Sequence, residues 1–487
     1  MFLTRPKPPP IHRLPVELLS EIFHWHSDYY ISSPRLYDVS MVRDGPWLLT
    51  HVCSHWRETV ILLPSLWSSL IIQTELCDIN DPEALLQTAL KRSKRSPLSL
   101  KLWVEFVPSF LDTPMWQRIF TVLAAHSNSW KDVEFEMDSH ECYNEVMGMF
   151  SDSPIPIQLP LLETLQIILG TSPDSEDNED GSEFDEHSIS TFADAPMLRS
   201  VILKPFFPIN LPWSQITYLC TSELSLQQLL DTLRVAVHLE TLSTSEVYID
   251  PQGDIPVPVT NNAIETLKTC DFEYLPYLTL PSLTSLGMDG DDLVEELVNN
   301  GWHMAARDWD ELSSFVSRSG CRLKSLRISV EKATDSLLAM LRIAMTDVTD
   351  ITFINEPGSI SQASLLPVLQ KNPLLLPKLE VLYLDGSESR DYCHLDKVLE
   401  FVQSCYRNGT RPLKSLYIDC EGLYPEENDI CVDDKDQRFY LDQLKVFVDD
   451  GLDLVIDIGG RAVEIGKNNP TDEVVRSLSP LHGGGLT

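Results

Sequence analysis

The sequence has little positive charge, and this scarcity limits the partners it can take. Its 37 Lys and Arg residues stand against 73 Asp and Glu residues, which gives a formal charge of −36. Such a surface repels nucleic acids and anionic membranes, so we expect neither as a general partner. The same charge favours solubility, and it favours protein partners that carry basic groups.

The sequence also lacks paired cysteines and long apolar runs. Its ten cysteines are scattered with no C-x-x-C pair, so no dense disulfide framework is predicted. No window of about 18 apolar residues could form a membrane helix, and residues 1–10 have no apolar core of signal-peptide length. Free thiols and the missing secretory signal predict a cytoplasmic or nuclear protein.

The motifs of common enzymes are missing as well, since neither H-E-x-x-H, G-x-S-x-G, a P-loop nor a dinucleotide fingerprint occurs. The pattern His51-x-Cys53-x-His55 is the best metal candidate. If this segment is one helix, Cys53 projects about 160° away from His51, so the three cannot close on one ion. We therefore predict no enzyme, no metal site and no cofactor. A convergent polar pocket would revive the alternative of a hydrolase or metal enzyme.

Residues 14–23 form an apolar segment, Leu-Pro-Val-Glu-Leu-Leu-Ser-Glu-Ile-Phe. Pro15 suits the first turn of a helix because it has a fixed φ and no N–H. The large apolar side chains spread over an arc of about 140° on that helix, which is wider than one packed stripe needs. These side chains are Leu18, Leu19, Ile22 and Phe23.

Two further segments follow in a fixed order. Residues 48–57 read Leu-Leu-Thr-His-Val-Cys-Ser-His-Trp-Arg, which we interpret as a second helix, and residues 64–70 read Pro-Ser-Leu-Trp-Ser-Ser-Leu. The blocks Leu-Pro-x-Glu-Leu-Leu-x-x-Ile-Phe, Val-Cys-x-x-Trp-Arg and Pro-Ser-Leu-Trp-x-x-Leu together resemble the F-box motif, most of all that of fungal F-box proteins. The resemblance covers residues 11–70, and the stretch from His24 to Pro46 is longer than the family's usual connection.

The resemblance implies a small all-α module that docks on a Skp-type adaptor of a cullin-based (SCF-type) ubiquitin ligase. A docking module needs apolar anchors beyond those of its own core, and an anchor at the centre of an interface is worth about 2 kcal/mol or more. The predicted adaptor-binding residues are Leu14, Pro15, Leu18, Leu19, Ile22, Phe23, Leu49, Val52, Cys53, Trp56 and Trp67.

An alternative makes the same helices an N-terminal cap of a protein-interaction scaffold that acts without any ligase, because repeat arrays need such caps. The two hypotheses differ in exposure. A cap would bury Leu18, Phe23 and Trp56, whereas a docking module leaves part of that surface outward.

From Leu98 onward an apolar phrase recurs: an apolar residue, two others, an apolar residue, one other, an apolar residue. Its last three residues alternate, which predicts a short strand with one apolar face. The strong copies begin at Trp130, Leu162, Leu198, Leu283, Leu323, Val348, Leu379 and Leu413, and weaker copies begin at Ile216, Leu239 and Ile264.

Helical patterns separate many of these copies, at residues 226–237, 310–319, 336–345, 361–370 and 395–406. One strand and one helix per unit is typical of a solenoid in which each unit buries its apolar side against its neighbours. The phrase is similar to leucine-rich repeats, which implies an irregular horseshoe whose strand face or loops would bind a client protein. The negative charge of the chain predicts that this client is basic.

The predicted fold class is therefore α/β, with an all-α module followed by a leucine-rich-repeat-like solenoid. Asp81 as N-cap and Pro82 at the first position begin a linker helix. Two alternating runs around Gly459-Gly460 predict a hairpin that caps the solenoid. The predicted divisions are a flexible Pro-rich lead-in (1–10), the F-box-like module (11–70), the linker helix (71–97), the repeat domain (98–466) with an acidic loop (172–188), and a flexible tail (467–487).

Overall fold

A computed structural model of the chain describes most of its residues. These are residue 11 and residues 14–27, 36–73, 81–104, 114–170, 190–249, 256–287, 306–329, 335–343, 345–354, 362–372, 375–385, 395–408, 413–420, 435–458 and 461–464. The predicted lead-in, acidic loop and tail lie outside them. The chain divides into two compact units between Thr221 and Ser222.

The first unit combines helices with parallel strands. Its helices are α1 (Val16–Ser27), α2 (Gly45–Val52), α3 (Ser54–Ile61), α4 (Pro82–Ser93), α5 (Pro114–Ala125) and α6 (His140–Ser151). Its strands are β1 (Tyr37–Asp38), β2 (Ser69–Gln73), β3 (Leu98–Val104), β4 (Trp130–Met137), β5 (Thr164–Leu169), β6 (Ser200–Lys204) and β7 (Tyr218–Ser225), the last of which contains the division. Each strand pairs in parallel with the next along the chain.

The second unit repeats this plan. Its helices are α7 (Leu226–Val235), α8 (Ala306–Ser319), α9 (Asp335–Ile343), α10 (Gln362–Lys371), α11 (Leu395–Asn408) and α12 (Lys435–Asp449). Its strands are β8 (Thr241–Tyr248), β9 (Val259–Thr260), β10 (Thr266–Thr269), β11 (Leu278–Thr279), β12 (Ser285–Gly287), β13 (Ser325–Ser329), β14 (Asp350–Ile354), β15 (Val381–Asp385), β16 (Ser415–Cys420), β17 (Asp453–Ile458) and β18 (Arg461–Glu464).

Strands β8, β10 and β12 to β17 pair in parallel in that order, and β9 pairs separately with β11. Strand β18 runs antiparallel to β17, which confirms the predicted hairpin. The predicted helices of this unit are confirmed, with ends that differ by a few residues.

The recurring apolar phrase sets the register between strands. In the first unit the middle residues of its copies align across neighbouring strands and with Leu100 of β3. All of these residues are buried: Leu100, Val133, Leu165, Val201 and Leu219. The second unit does the same from β13 to β17 with Leu326, Ile351, Leu382, Leu416 and Leu454. Since strand side chains alternate, a fixed spacing between apolar residues keeps every copy's apolar face in the core.

The α/β class is therefore confirmed as a mixed fold with a large parallel sheet, while the leucine-rich-repeat assignment stays a prediction. The linker helix is also confirmed as α4. Asp81 caps it by accepting a hydrogen bond from the Ala84 N–H at 3.0 Å, and Pro82 is its first residue. A cap of this kind satisfies one of the free N–H groups at a helix start.

The prediction of an all-α module at residues 11–70 is wrong in one respect. Tyr37 and Asp38 form β1, which pairs with Leu70 and Ile71 of β2, and β2 pairs in turn with β3. The long connection after α1 thus adds a strand, and the sheet begins inside the module. Burial of the Tyr37 ring beside Trp67, at 6.4 Å between ring centroids, accompanies this pairing.

Candidate functional site: the outer face of the first helix

Helix α1 carries apolar side chains on two sides. Leu19 and Phe23, one turn apart, are fully buried. Leu18, Ile22 and Trp25 are 51%, 42% and 76% exposed and follow one another at four and three residues, so they form a continuous row along the helix. We call Leu18, Ile22 and Trp25 the outer stripe. The fully buried side chains Leu19 and Phe23, and not the outer stripe, pack in the module core.

The inner side fixes the orientation of α1 against α2, α3 and the short 3-10 helix Pro64–Trp67. The Phe23 ring lies 4.9 Å from the Trp56 ring between centroids. His24 Nδ1 lies 2.7 Å from the Ser20 carbonyl oxygen, and its Nε2 lies 2.9 Å from Ser65 Oγ. These contacts hold the outer stripe on a positioned helix, which lowers the entropy lost when a partner binds.

Trp67 lies at the centre of the module's core. Its indole N–H donates to the Val60 carbonyl oxygen at 2.9 Å, and the Trp47 ring meets it edge-on at 4.9 Å between centroids. The guanidinium of Arg92, from the end of α4, lies 4.4 Å from the Trp67 ring centroid and 5.1 Å from that of Trp47. Such stacking of a cation on aromatic rings is favourable, and it ties α4 to the module.

Arg92 belongs to the only dense basic run of the chain, residues 91–95. Its half-buried guanidinium packs on two tryptophans, and burial lowers its pKa from the ordinary value. Lys91 and Arg92 also occupy the last turn of α4, where the helix dipole favours cations. These two roles give Lys91 and Arg92 a structural explanation within the first unit.

The predicted adaptor-binding residues fall into three groups. Exposed on the surface are Pro15, Leu18, Ile22 and Val52. Half-buried are Leu14, Cys53 and Trp56. Fully or almost fully buried are Leu19, Phe23, Leu49 and Trp67. The last group packs in the module core, so its members support the surface instead of forming it.

Trp25 is the most exposed apolar side chain of α1 and was not among the predicted contacts. The sequence held a signal for it, because Trp25 lies seven residues, or two helical turns, after Leu18. This spacing alone does not show that Trp25 lies on the exposed side of α1, because Phe23 also fits a helical spacing and is buried.

The interpretation of residues 48–57 as one helix is wrong. Cys53 has an extended backbone, with φ −162° and ψ 170°, and separates α2 from α3. It serves as the N-cap of α3, where its Sγ accepts a hydrogen bond from the Trp56 N–H at 3.4 Å. The helical geometry used to weigh the His51, Cys53 and His55 pattern therefore does not apply. Within the described ranges, no three possible metal ligands come together.

Among the helices that the structure describes, none combines the length and apolar character that a membrane crossing requires. No family model matches the sequence, and a search of curated proteins finds no relative.

Proposed function

We propose that this chain is the substrate-recognition subunit of an SCF-type ubiquitin ligase. Residues 11–70 dock on the Skp-type adaptor, and the repeats that follow bind the client protein. The proposal is supported by the three-block resemblance to the F-box motif and by the outer stripe of α1.

The outer stripe carries the proposal. Leu18, Ile22 and Trp25 are exposed to solvent, whereas Leu19 and Phe23 of the same helix are buried in the module core. Fully burying an exposed large apolar side chain contributes about 1.5–3 kcal/mol, and about half of that remains available at the half-exposed Leu18 and Ile22, so a row of three still supplies a substantial anchor. Tryptophan, which the outer stripe contains as Trp25, is among the residues most enriched at the energetic centres of protein interfaces.

The function needs no chemistry from this chain. A client held by the repeats and an activated ubiquitin held elsewhere in the ligase become effectively intramolecular reactants, which raises their local concentration. The contribution of this chain is therefore binding and positioning.

The alternative, a ligase-independent interaction scaffold with an N-terminal cap, also has an observation in its favour. Strand β2 pairs with β3, so residues 11–70 cover the start of the sheet as a cap would. This alternative requires Leu18, Phe23 and Trp56 to be buried. Phe23 is buried and Trp56 is half-buried, but Leu18 is exposed.

Co-purification with a Skp-type adaptor tests the proposal. The variant Leu18→Asp, Ile22→Asp places two charges on the outer stripe without opening the core. The matched control is Ile155→Asp, Met197→Asp, which changes two exposed apolar residues of the same unit outside the module. We expect the wild type and the control to retain the adaptor and the stripe variant to lose at least about 30-fold in affinity, as two interface anchors of about 1 kcal/mol or more each predict.

Equal retention of the adaptor by the stripe variant and the wild type would contradict docking through α1. Absence of adaptor binding by the folded wild type would favour the scaffold alternative. Circular dichroism of each variant establishes that the fold is intact, because exposed positions contribute little to stability.

A further inference from the structure

The outer stripe of α1 has an acidic edge. Glu17 and Glu21 are exposed and lie four residues apart, so they occupy neighbouring positions on one side of the helix. Glu21 also lies three residues after Leu18 and four residues before Trp25, which places this edge directly beside the outer stripe. The surface that α1 presents to solvent therefore combines large apolar side chains with two carboxylates.

The described part of the chain supplies no cation to this acidic edge. Among the ion pairs that the structure forms between described residues, none includes Glu17 or Glu21. Like charges four residues apart on a helix repel each other, so a nearby cation would stabilise α1. A segment that covers the outer stripe must therefore offer both apolar side chains and positive charge.

The lead-in, residues 1–10, has this chemistry. It reads Met-Phe-Leu-Thr-Arg-Pro-Lys-Pro-Pro-Pro, with three apolar residues at its start, two basic residues and no acidic residue. In the whole chain acidic residues outnumber basic ones by 73 to 37, so a segment with basic charge alone is unusual for this protein. Its charge is complementary to the acidic edge of α1.

The length and the order of the lead-in also fit α1. The lead-in joins the described chain at Ile11, five residues before the first residue of the helix. Consecutive prolines favour an extended chain of about 3.1 Å per residue, so the lead-in reaches about 28 Å from Ile11 back to Phe2, whereas α1 rises only about 14 Å from its first residue to Trp25. Counted back from Ile11, its basic residues come first and its apolar residues last, just as α1 presents its acidic edge before Trp25.

We propose that the lead-in covers the outer stripe reversibly, with Phe2 and Leu3 against its apolar side chains and Arg5 and Lys7 against the acidic edge. A tethered segment acts at an effective concentration of millimolar order, so even weak contacts keep the stripe covered in a large share of the molecules. A partner that docks on α1 must displace the lead-in, which lowers the partner's apparent affinity. As regulation of adaptor docking this inference depends on the proposed function, whereas the contact itself does not.

Fluorine NMR of the full chain with 5-fluorotryptophan tests the contact without any adaptor. The Trp25 signal is identified by its loss in Trp25→Phe, and the shift of this signal between H2O and D2O measures its exposure. The lead-in variant is Arg5→Glu, Lys7→Glu, and the matched control is Lys91→Glu, Arg95→Glu, which changes two exposed basic residues of the same unit. We expect the lead-in variant to have a larger solvent shift than the wild type and the control to match the wild type.

An exchange of charges makes this test specific. Glu17→Lys, Glu21→Lys should also expose Trp25, but its combination with Arg5→Glu, Lys7→Glu should restore the wild-type signal, because opposite charges then face each other again. Equal Trp25 signals in the wild type and in both two-site variants would overturn the proposal. Shielding of Trp25 that grows with protein concentration would overturn it as well, since a second copy of the chain would then cover the stripe.

Adaptor affinity gives a second measurement. Arg5→Glu, Lys7→Glu should bind a Skp-type adaptor about threefold to tenfold more tightly than the wild type, because no lead-in has to be displaced. Equal affinities would contradict the cover. If neither form binds the adaptor, the proposed function fails, and the fluorine signal of Trp25 still decides whether the lead-in covers α1.

Discussion

The contacts between side chains on the solvent side of the strands differ between the two units. In the first unit, Lys101 on β3 bonds to Glu134 at 2.7 Å and to Glu136 at 2.6 Å, both on β4. Beside them Ser99 Oγ donates to Asp132 Oδ2 at 3.0 Å. The carboxylates of this surface thus find partners within the unit. In the second unit, Tyr417 on β16 donates a hydrogen bond to Asp453 on β17 at 3.0 Å, and its ring lies 6.2 Å from that of Tyr383 on β15 between centroids, so aromatic rings and a neutral donor connect these strands.

The two units also differ in the side chains that they leave at the surface. In the first unit these are apolar and lie on α1, as the outer stripe of Leu18, Ile22 and Trp25. In the second unit two half-buried tyrosines, Tyr383 and Tyr417, stack beside Asp453.

The largest expected effect comes from Trp67→Ala in the first unit. Trp67 is fully buried and bonds to Val60, so its removal leaves a cavity and should lower the free energy of unfolding by about 4 kcal/mol. The matched control is Trp25→Ala, the most exposed tryptophan of the same module, for which we expect a change within about 0.5 kcal/mol. Urea unfolding measures both.

Thiol labelling shows which unit is affected. Burial, with help from the nearby carboxylate of Asp138, raises the pKa of Cys142 in the first unit to about 12. Burial, with the charge of Asp271, raises that of Cys270 in the second unit to about 12 as well. Both thiols should stay unreactive until their unit unfolds. Trp67→Ala should shift labelling of Cys142 to lower urea, and an equal shift for Cys270 would show that the units unfold together.

The second prediction concerns the ion pairs that Lys101 forms with Glu134 and Glu136 in the first unit. Lys101→Met leaves Glu134 and Glu136 near each other without their cation, and the side chains of Lys101 and Glu134 are only 16% and 18% exposed. We expect a loss of about 2 kcal/mol at pH 7, below the cost of breaking a fully buried pair because Glu136 reaches solvent. Replacing both glutamates with glutamine in the same chain should restore most of the loss.

The pH dependence of this variant gives an independent check. Burial alone would lower the pKa of Lys101, but the bonds to Glu134 and Glu136 outweigh it and raise the pKa above the ordinary value. A raised pKa means that the stabilisation is fully present below the unfolded value of about 10.4 and is lost as pH rises through the folded value. The difference between wild type and Lys101→Met should therefore shrink in strong alkali; a constant difference would contradict the ion-pair explanation.

Much of the fold could be predicted because one sequence pattern fixes both strand and register. The spacing of apolar residues in Leu379-x-x-Leu382-x-Leu384 recurs at Leu413-x-x-Leu416-x-Ile418, and the structure aligns Leu382 with Leu416 and Leu384 with Ile418. A slip by one residue would turn every apolar side chain to water, so the pattern permits one register.

The candidate site was less predictable because tertiary packing decides which side chains of a helix are buried and which are exposed. Leu18 and Leu19 are adjacent and chemically identical, yet one is half exposed and the other is buried. The extended backbone at Cys53 was missed because periodicity does not report a break between two helices that follow one another directly. The pairing of Tyr37 with Leu70 was missed because two residues are too short for an alternation pattern.

The smallest expected effect concerns the hydrogen bond between Tyr417 and Asp453 in the second unit. Burial first, and then the hydrogen bond and charge of Asp453, raise the pKa of Tyr417 above its ordinary value. Asp453→Asn keeps a hydrogen-bond acceptor but removes the charge, so Tyr417 should ionise at a lower pH than in the wild type. Carbon NMR of ring-labelled tyrosine measures this shift, with Tyr417→Phe identifying the signal.

The direction of the shift tests whether the charge of Asp453 acts on the Tyr417 ring. If solvent screened this charge fully, Asp453→Asn would leave the pKa of Tyr417 unchanged. A clear fall in the pKa therefore requires the carboxylate charge to act on the phenol.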